Sequence, residues 1–182
     1  MADNPTERER KLRVQADEYA FPYHYIPQPF GQIWMARHWG FGPSYVAALE
    51  LVLEWLEYFA RSEGDIFHHI DIGCGDGALL HHLIQINPDL APHLTGVDKD
   101  ARSIEWAKMF SPSIDFRSAD LLELGEVFSS ASLIEVAEHI PVADLHDFLA
   151  TTAKILKPGG KLILTVPSVE KNLCSKNSYN QV

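Results

Sequence analysis

Acidic side chains flank a glycine-rich segment near the middle of the chain. Asp71 and Asp76 lie within the sequence DIGCGDG at residues 71–77, which follows an apolar run and precedes a predicted helix. Gly73 permits a tight turn, and Gly75 lets a ligand approach the backbone without meeting a Cβ atom. A pyrophosphate at a helix N-terminus is disfavoured by nearby anions. Two carboxylates instead favour a ligand that carries an ammonium group and a sulfonium.

Two further acids follow the next predicted strands. Asp98 lies 21 residues after Gly77, where a carboxylate accepts hydrogen bonds from both ribose hydroxyls of an adenosine ligand. NAD uses the same acid, and the glycine spacing also fits the dinucleotide pattern, so Asp98 alone does not choose between cofactors. Asp120 either accepts a hydrogen bond from an adenine amino group or caps the next short helix, and the two roles are compatible. These acids predict an adenosine-containing cofactor.

A third group of polar side chains follows the fourth predicted strand. If the chain turns helically there, Glu135, Glu138 and His139 share one face. Three interpretations follow. His139 acts as a general base toward an acceptor hydroxyl, or the two carboxylates and the imidazole hold Mg²⁺ or Mn²⁺. In the third, Glu135 contacts the cofactor, Glu138 is solvated and His139 packs.

Strands and helices alternate in the part of the chain that carries these residues. The predicted strands are 67–72, 94–97, 114–117, 132–136 and 161–166, and helices are predicted from Pro43 and at 78–85, 101–110 and 142–156. This order predicts an α/β, Rossmann-like, doubly wound and mostly parallel sheet with helices on both faces. Ligands then bind at the carboxyl ends of the strands. Pro158, Gly159 and Gly160 form a predicted turn, and one of His68 and His69 points into the core.

Composition sets the domain organisation and excludes several classes of partner. The 182 residues predict one domain, with residues 1–45 as a polar and then aromatic segment, 46–168 as the core and 169–182 as a polar tail. The aromatic segment is either a lid over the site or a wrap around the sheet. A net charge of −10 makes nucleic acid an unlikely partner. No apolar run approaches the ~20 residues of a membrane span, and two distant cysteines without a secretory signal predict a cytoplasmic protein.

Five ordered motifs carry a resemblance to a known family. They are DIGCGDG at 71–77, GVD at 96–98, AD at 119–120, EVAEH at 135–139 and LKPGGKL at 156–162. Together they resemble the class I S-adenosylmethionine (SAM)-dependent methyltransferases over about residues 66–168. The resemblance implies SAM bound across the first three strand ends, with Asp71 near the methionyl amino group, Asp98 at the ribose and Asp120 at the adenine. The predicted cofactor-binding residues are Asp71, Gly73, Cys74, Gly75, Asp98, Lys99, Asp120, Leu121 and Glu135.

The E-x-x-E-H stretch resembles two branches of this family. One comprises the ubiquinone-biosynthesis O-methyltransferases, and the less similar one comprises small-RNA 2′-O-methyltransferases, in which the stretch helps bind a divalent metal. The RNA branch uses a further histidine, for which this chain offers only His146 on the following helix. The sequence therefore predicts methylation of a small-molecule hydroxyl with His139 and Glu135 as catalytic residues. The alternatives are a SAM-binding or interaction protein without turnover and a metal-dependent RNA 2′-O-methyltransferase.

The last predicted strand lacks an outer neighbour. Class I methyltransferases usually have two more strands after the fifth, whereas this chain ends sixteen residues past Val166. The strand at 161–166 would then be an exposed edge. We expect self-association through this edge, or its occlusion by residues 168–182 or by the aromatic N-terminal segment.

Overall fold

The computed structural model describes residues 6, 9–10, 13, 27–30, 33–36, 42–64 and 67–166. Its elements, in chain order, are β1 (Pro27–Phe30), β2 (Ile33–Ala36), α1 (Gly42–Glu63), β3 (His69–Ile72), α2 (Ala78–Ile86), β4 (Leu94–Asp98), α3 (Ala101–Phe110), β5 (Asp115–Ser118), β6 (Phe128–Ile134), α4 (Val142–Lys154) and β7 (Leu156–Thr165). None of the described helices is long and apolar enough to cross a membrane.

Five strands form one parallel sheet with the order β5-β4-β3-β6-β7. This topology confirms the predicted α/β Rossmann-like sheet. β3 lies at its centre and all four of its residues are buried, so the carboxyl ends of β3, β4 and β6 lie side by side at one edge. β1 and β2 form a separate antiparallel hairpin that the sequence did not predict. The lid or wrap role and the polar tail fall largely outside the described residues.

Apolar clusters cover both faces of the sheet. One joins α1 and α2 to the sheet through residues such as Leu56, Leu80 and Phe116, and the other lies around Ile70 and Leu133 with side chains of α4. The helix predicted from Pro43 buries only part of its apolar face. Val52, Leu56 and Phe59 are buried, whereas Leu51, Trp55 and Tyr58 are exposed.

The boundaries of β6 differ from the prediction. The predicted strand at 132–136 is wrong at both ends, because β6 begins at Phe128 and ends at Ile134. Ser129 and Ser130 near its start are polar and therefore give no apolar strand signal. Burial of these two serines and of Ser132 is compensated by hydrogen bonds with the His69 side chain of β3 and with the backbone amide of His68. The strand ends where Glu135 adopts a left-handed backbone with φ 54°.

The predicted turn at Pro158, Gly159 and Gly160 is also corrected. β7 runs through these residues, but its pairing with β6 is irregular there. Between the paired residues Phe128–Leu156 and Ser130–Lys161, β7 has three more residues than β6. Gly159 accommodates this bulge with φ +81°. Pro158, Gly159 and Gly160 therefore form a bulge within β7 and do not form a turn between a helix and a strand.

The ring of Phe116 on β5 fills the space beside two glycines. A Cβ atom at Gly77 would lie 2.7 Å from the ring, and a Cβ atom at Gly96 would overlap it. Phe116 is 2% exposed and is held in the apolar cluster, so its ring has no room to move away. Glycine at both positions lets β4 and the start of α2 pack closely against Phe116.

We expect Gly96→Ala to lower the free energy of unfolding by about 1–3 kcal/mol, because the added methyl group overpacks the ring of Phe116. Urea unfolding would measure the loss. Phe116→Leu is the matched single variant, and in the double variant it should relieve part of the effect of Gly96→Ala. Strictly additive losses would show that the two positions do not compete for space.

Candidate functional site

The loop after β3 is attached to the end of β4. The amides of Gly73 and Cys74 both donate to the carbonyl of Val97, at 2.8 and 3.0 Å, and the Gly75 amide donates to the Asp98 carboxylate at 3.0 Å. Gly73, Gly75 and Gly77 in this loop all have left-handed backbone conformations, which glycine adopts without a steric penalty. The predicted glycine turn is therefore a rigid connection between two strand ends.

Asp98 is held from two sides. Its Oδ2 accepts the Gly75 amide and its Oδ1 accepts the Asp100 amide at 2.8 Å. Burial raises the pKa of Asp98, while these backbone hydrogen bonds lower it. A carboxylate offers about four lone-pair positions, so two remain for the hydroxyls of a ligand. Asp100 itself caps α3 by accepting the amides of Arg102 and Ser103.

Asp71 lies at the adjacent strand end and is 3% exposed. It accepts a hydrogen bond of 2.5 Å from the hydroxyl of Ser132 on β6. Burial raises the pKa of Asp71 to about 7, the hydrogen bond from Ser132 opposes this rise, and the charge of Asp98 adds to it. Two acids thus occupy neighbouring buried positions, an arrangement that favours a ligand with positive charge.

The remaining loop residues are buried. Cys74 is a free thiol beneath the loop. Burial raises the pKa of Cys74 well above its usual value, and the nearby charges of Asp71, Asp98 and Asp76 add to the rise. The thiol therefore stays protonated, so a nucleophilic role is disfavoured. Asp76 is also fully buried in this loop.

The predicted adenine end of the site lies at the end of β5. A cavity of about 280 Å³ is lined by Lys99, Ser118, Ala119, Asp120 and Glu123. Asp120 caps the 3₁₀ turn that begins at Leu121 by accepting the amide of Leu122, and it forms an ion pair with Lys99 at 3.2 Å. The capping role expected for Asp120 is thus observed, and its second oxygen pairs with Lys99.

A larger depression of about 380 Å³ lies on the exposed face of α1. Its lining residues are Leu51, Glu54, Trp55 and Tyr58. None of them is a predicted cofactor-binding residue. The strand ends, where acids and loop amides converge, are therefore the candidate site despite the smaller cavity.

The turn after β6 differs from the helix that was considered from sequence. Glu135 has φ 54° and lies outside any helix, and only Ala137–His139 form a 3₁₀ turn. Glu135, Glu138 and His139 therefore do not share one face of a regular helix. A Cβ atom at Gly73 would lie 2.7 Å from the side chain of Val136, so this turn packs directly against the glycine loop. The predicted catalytic residues are thus on a turn adjoining the predicted cofactor site.

Glu138 and His139 are close to each other. Glu138 Oε1 lies 3.9 Å from His139 Nε2, and burial raises the pKa of Glu138, with the charge of Glu135 adding to the rise. Among the residues that the structure describes, no group of three or more His, Cys, Asp or Glu side chains is arranged to hold a metal ion. The metal hypothesis therefore gains no support from this turn, and His146 is exposed on α4 beside Asp147.

Sequence reasoning missed two residues that contact the site from below. Ser132 holds Asp71, and His69 contacts Ser132. The expectation that one of His68 and His69 points inward is confirmed, because His69 is fully buried and His68 is exposed. The available signal was polar residues two apart on two strands that pair, but recognising it requires the pairing itself.

The comparisons with known proteins agree with this geometry. A family model for a methyltransferase domain matches residues 38–179. The ubiquinone biosynthesis O-methyltransferase of Bartonella bacilliformis is 35% identical over 102 residues, covering 52% of this chain and 39% of that protein. The human mitochondrial ubiquinone biosynthesis O-methyltransferase is 33% identical over 104 residues, covering 53% of this chain and 27% of that protein. The chain thus matches less than half the length of these relatives.

Solved structures extend the similarity of fold. The magnesium protoporphyrin IX methyltransferase of Synechocystis PCC 6803, solved with bound SAM, superposes with a TM-score of 0.62 at 16% identity, covering 86% of this chain and 75% of that chain. The sugar N-methyltransferase of Streptoalloteichus sp. ATCC 53650 gives 0.57 at 19% identity, covering 95% of this chain and 62% of that chain. The chain therefore belongs to the methyltransferase-domain family and has the fold of the class I SAM-dependent methyltransferases.

Proposed function

We propose that this chain binds SAM and methylates a hydroxyl group of a small-molecule acceptor. The observation that carries the proposal is the pair of buried acids, Asp71 and Asp98, on either side of a glycine loop at adjoining strand ends. A dinucleotide pyrophosphate would meet the carboxylate of Asp71 there, whereas SAM brings an ammonium group, a sulfonium and ribose hydroxyls. The similarity to ubiquinone biosynthesis O-methyltransferases supports a hydroxyl acceptor.

The proposed cofactor contacts follow the arrangement of the strand ends. Asp71 receives the ammonium end, and Asp98 accepts the ribose hydroxyls with lone pairs that the backbone amides leave open. Asp120 borders the cavity at the end of β5, which is the proposed place of the adenine ring, and Leu121 follows it in the chain. Gly73, Cys74 and Gly75 supply a loop whose backbone a ligand can approach, and Lys99 sits at the cavity mouth paired with Asp120.

The chemistry requires little from the protein beyond alignment. When bound, SAM supplies a methyl group already activated on a sulfonium. The chain must hold the acceptor oxygen in line with that methyl group and exclude water. His139 is the proposed general base, because its partly exposed side chain lies on the turn that adjoins the glycine loop. It takes the hydroxyl proton as the acceptor oxygen becomes bonded to carbon, and Glu135 contributes to the same wall of the site.

Two other functions remain as outcomes of the tests. A SAM-binding protein without turnover would keep the acids and lack activity. A metal-dependent RNA 2′-O-methyltransferase would need a metal cluster that the described residues do not form. A net charge of −10 further disfavours nucleic acid as the acceptor.

We expect Asp98→Ala to weaken SAM binding by about 1–3 kcal/mol, because the ribose hydroxyls lose a charged acceptor. Calorimetry with SAM, S-adenosylhomocysteine, NAD and NADP would measure the affinity. Asp115→Ala removes an exposed acid of β5 and is the matched control, for which no change is expected. Tight binding of NAD without SAM, or full affinity in a folded Asp98→Ala protein, would contradict the assigned cofactor.

We expect His139→Gln to lower the turnover number about 100-fold or more while SAM affinity changes little, because the base acts only in the chemical step. Release of S-adenosylhomocysteine would be followed with catechol and simple phenols as probe acceptors. His146→Gln on α4 is the matched control. Activity should survive exhaustive chelation. Its loss on chelation and its return with Mg²⁺ or Mn²⁺ would favour the metal-dependent alternative.

Of self-association and occlusion, the two outcomes expected for the outer edge of β7, we propose self-association. The Thr165 carbonyl accepts the Glu135 amide of the neighbouring segment, so by strand alternation the backbone groups of Leu162 and Leu164 point away from β6. Both side chains are 40% exposed.

Leu162→Lys combined with Leu164→Lys should make the chain monomeric in sedimentation, because charges block edge pairing. Lys161→Leu, which adds no charge, should not. A wild-type chain that is monomeric at all concentrations, with exchange-protected amides at 162 and 164, would indicate occlusion of the edge instead.

A further inference from the structure

Four polar side chains form a line beneath the candidate site. They lie on β3 and β6, whose register pairs His69 with Ser130 and Asp71 with Ser132. His69 Nδ1 lies 2.9 Å from the Ser130 hydroxyl and His69 Nε2 lies 3.0 Å from the Ser132 hydroxyl. The Ser132 hydroxyl in turn donates to Asp71. His69, Ser130 and Ser132 are all 0% exposed, so the line lies out of contact with bulk solvent.

The hydrogen bonds in this line have a defined direction when Asp71 is ionised. Ser132 has one hydroxyl hydrogen and donates it to Asp71, so its oxygen accepts from His69 Nε2–H. Burial lowers the pKa of His69 to about 3, so the imidazole is neutral and has one donor and one acceptor. With Asp71 ionised, His69 Nδ1 then accepts the hydroxyl hydrogen of Ser130, and all the bonds run toward Asp71. The backbone of Ser130, which acts to raise the pKa of His69, instead favours a hydrogen on the ring nitrogen beside it.

We propose that Ser130, His69 and Ser132 form a neutral hydrogen-bond relay that positions Asp71 and stabilises its ionised form, in which it receives the cationic end of the cofactor. That cofactor is SAM, so this proposal rests on the proposed function. His69 is accordingly a positioning residue that acts through Ser132 and does not itself touch the ligand.

The surroundings of Asp71 explain why such a relay matters. Among the residues that the structure describes, the titratable groups around it are Asp98 at the end of β4, Asp76 and Cys74 in the glycine loop, and His69 below. The three besides His69 are acidic. Burial and the charge of Asp98 raise the pKa of Asp71 to about 7, and the bond from Ser132 is what opposes the rise. The charge of Asp71 near neutral pH therefore depends on the Ser132 hydroxyl. His69 in turn sets the orientation of that hydroxyl.

Protonation of Asp71 reverses the relay. A protonated Asp71 donates to Ser132, Ser132 donates to His69 Nε2, and His69 Nδ1–H points to Ser130. The imidazole keeps one proton throughout, which lies on Nε2 above the transition and on Nδ1 below it. The net change is the single proton gained by Asp71. The tautomer of a fully buried histidine thus reports the charge of an acid in the site.

Nitrogen-15 NMR of histidine side chains in the wild-type protein tests the relay without any cofactor. We expect His69 to be neutral from pH 5 to 9, with Nε2 protonated at high pH and Nδ1 protonated at low pH, and with a midpoint near 7. A tautomer that stays fixed on Nδ1 at every pH would overturn the proposal. The other histidines serve as internal references.

Calorimetry with S-adenosylhomocysteine tests what the relay does for binding. In the wild type the affinity should rise with pH through about 7, because below that value binding must expel the proton of Asp71. Ser132→Ala should bind roughly tenfold more weakly at pH 7, release more protons on binding and show its midpoint at higher pH. Ser132→Thr should restore the wild-type affinity, proton release and midpoint. Ser129→Ala, a buried serine of the same strand outside the relay, should leave the midpoint unchanged.

A second pair of variants tests the contribution of His69 separately from that of Ser132. Glutamine at position 69 keeps a donor and an acceptor, whereas leucine keeps neither, so His69→Leu should shift the midpoint upward and His69→Gln should shift it less. Equal midpoints in wild type, His69→Leu and Ser132→Ala, with binding intact, would overturn the relay and leave the proposed function standing. Absence of S-adenosylhomocysteine binding with the expected tautomer change would instead contradict the proposed function alone.

Discussion

The candidate site depends on the hydrogen bonds that fix the loop after β3 to the end of β4. Val97 accepts two loop amides through its carbonyl, and Asp98 accepts a third through its side chain. These bonds are available only because the strands are parallel and adjacent, so that both carboxyl ends reach the same edge. With the loop held there, the two acids take neighbouring positions. The packing of Phe116 against Gly77 and Gly96 secures the same region from the side of the core.

Burial of two acids side by side is unfavourable unless donors or cations compensate. The protein supplies backbone amides to Asp98, a serine hydroxyl to Asp71 and no buried arginine or lysine to either in the described contacts. This incomplete compensation suits a cationic ligand that completes the electrostatics on binding. Lys99, which directly follows β4, is highly exposed and pairs with Asp120 instead. The described hydrogen bonds thus compensate part of the cost of burying the two acids and leave them able to attract positive charge.

Most of the residues proposed to bind the cofactor lie on the loop after β3 and at the ends of β4 and β5, which the parallel sheet holds side by side. The turn at 135–139 and the start of β7 depart from regular structure, as the left-handed Glu135 and the bulge in β7 show. Two solved structures that share the fold at 16–19% identity are named as a porphyrin methyltransferase and a sugar methyltransferase. The shared fold by itself is therefore compatible with different acceptors.

The sequence by itself determined the alternation of strands and helices, the glycine turn and the acids at the strand ends, because these follow from local periodicity and from residue types that a tight turn requires. Helix α3 agrees with its predicted bounds to the residue. Tertiary structure alone decided the extent of β6, the bulge at Gly159, the left-handed Glu135 and the line from Ser130 to Asp71. Each of these depends on which strands become neighbours, and serine gives no apolar signal that its buried hydroxyl will meet a histidine on the next strand. The pairing of β3 with β6, which local sequence does not encode, brings His69 and Asp71 beside Ser130 and Ser132 and so connects the four side chains by hydrogen bonds.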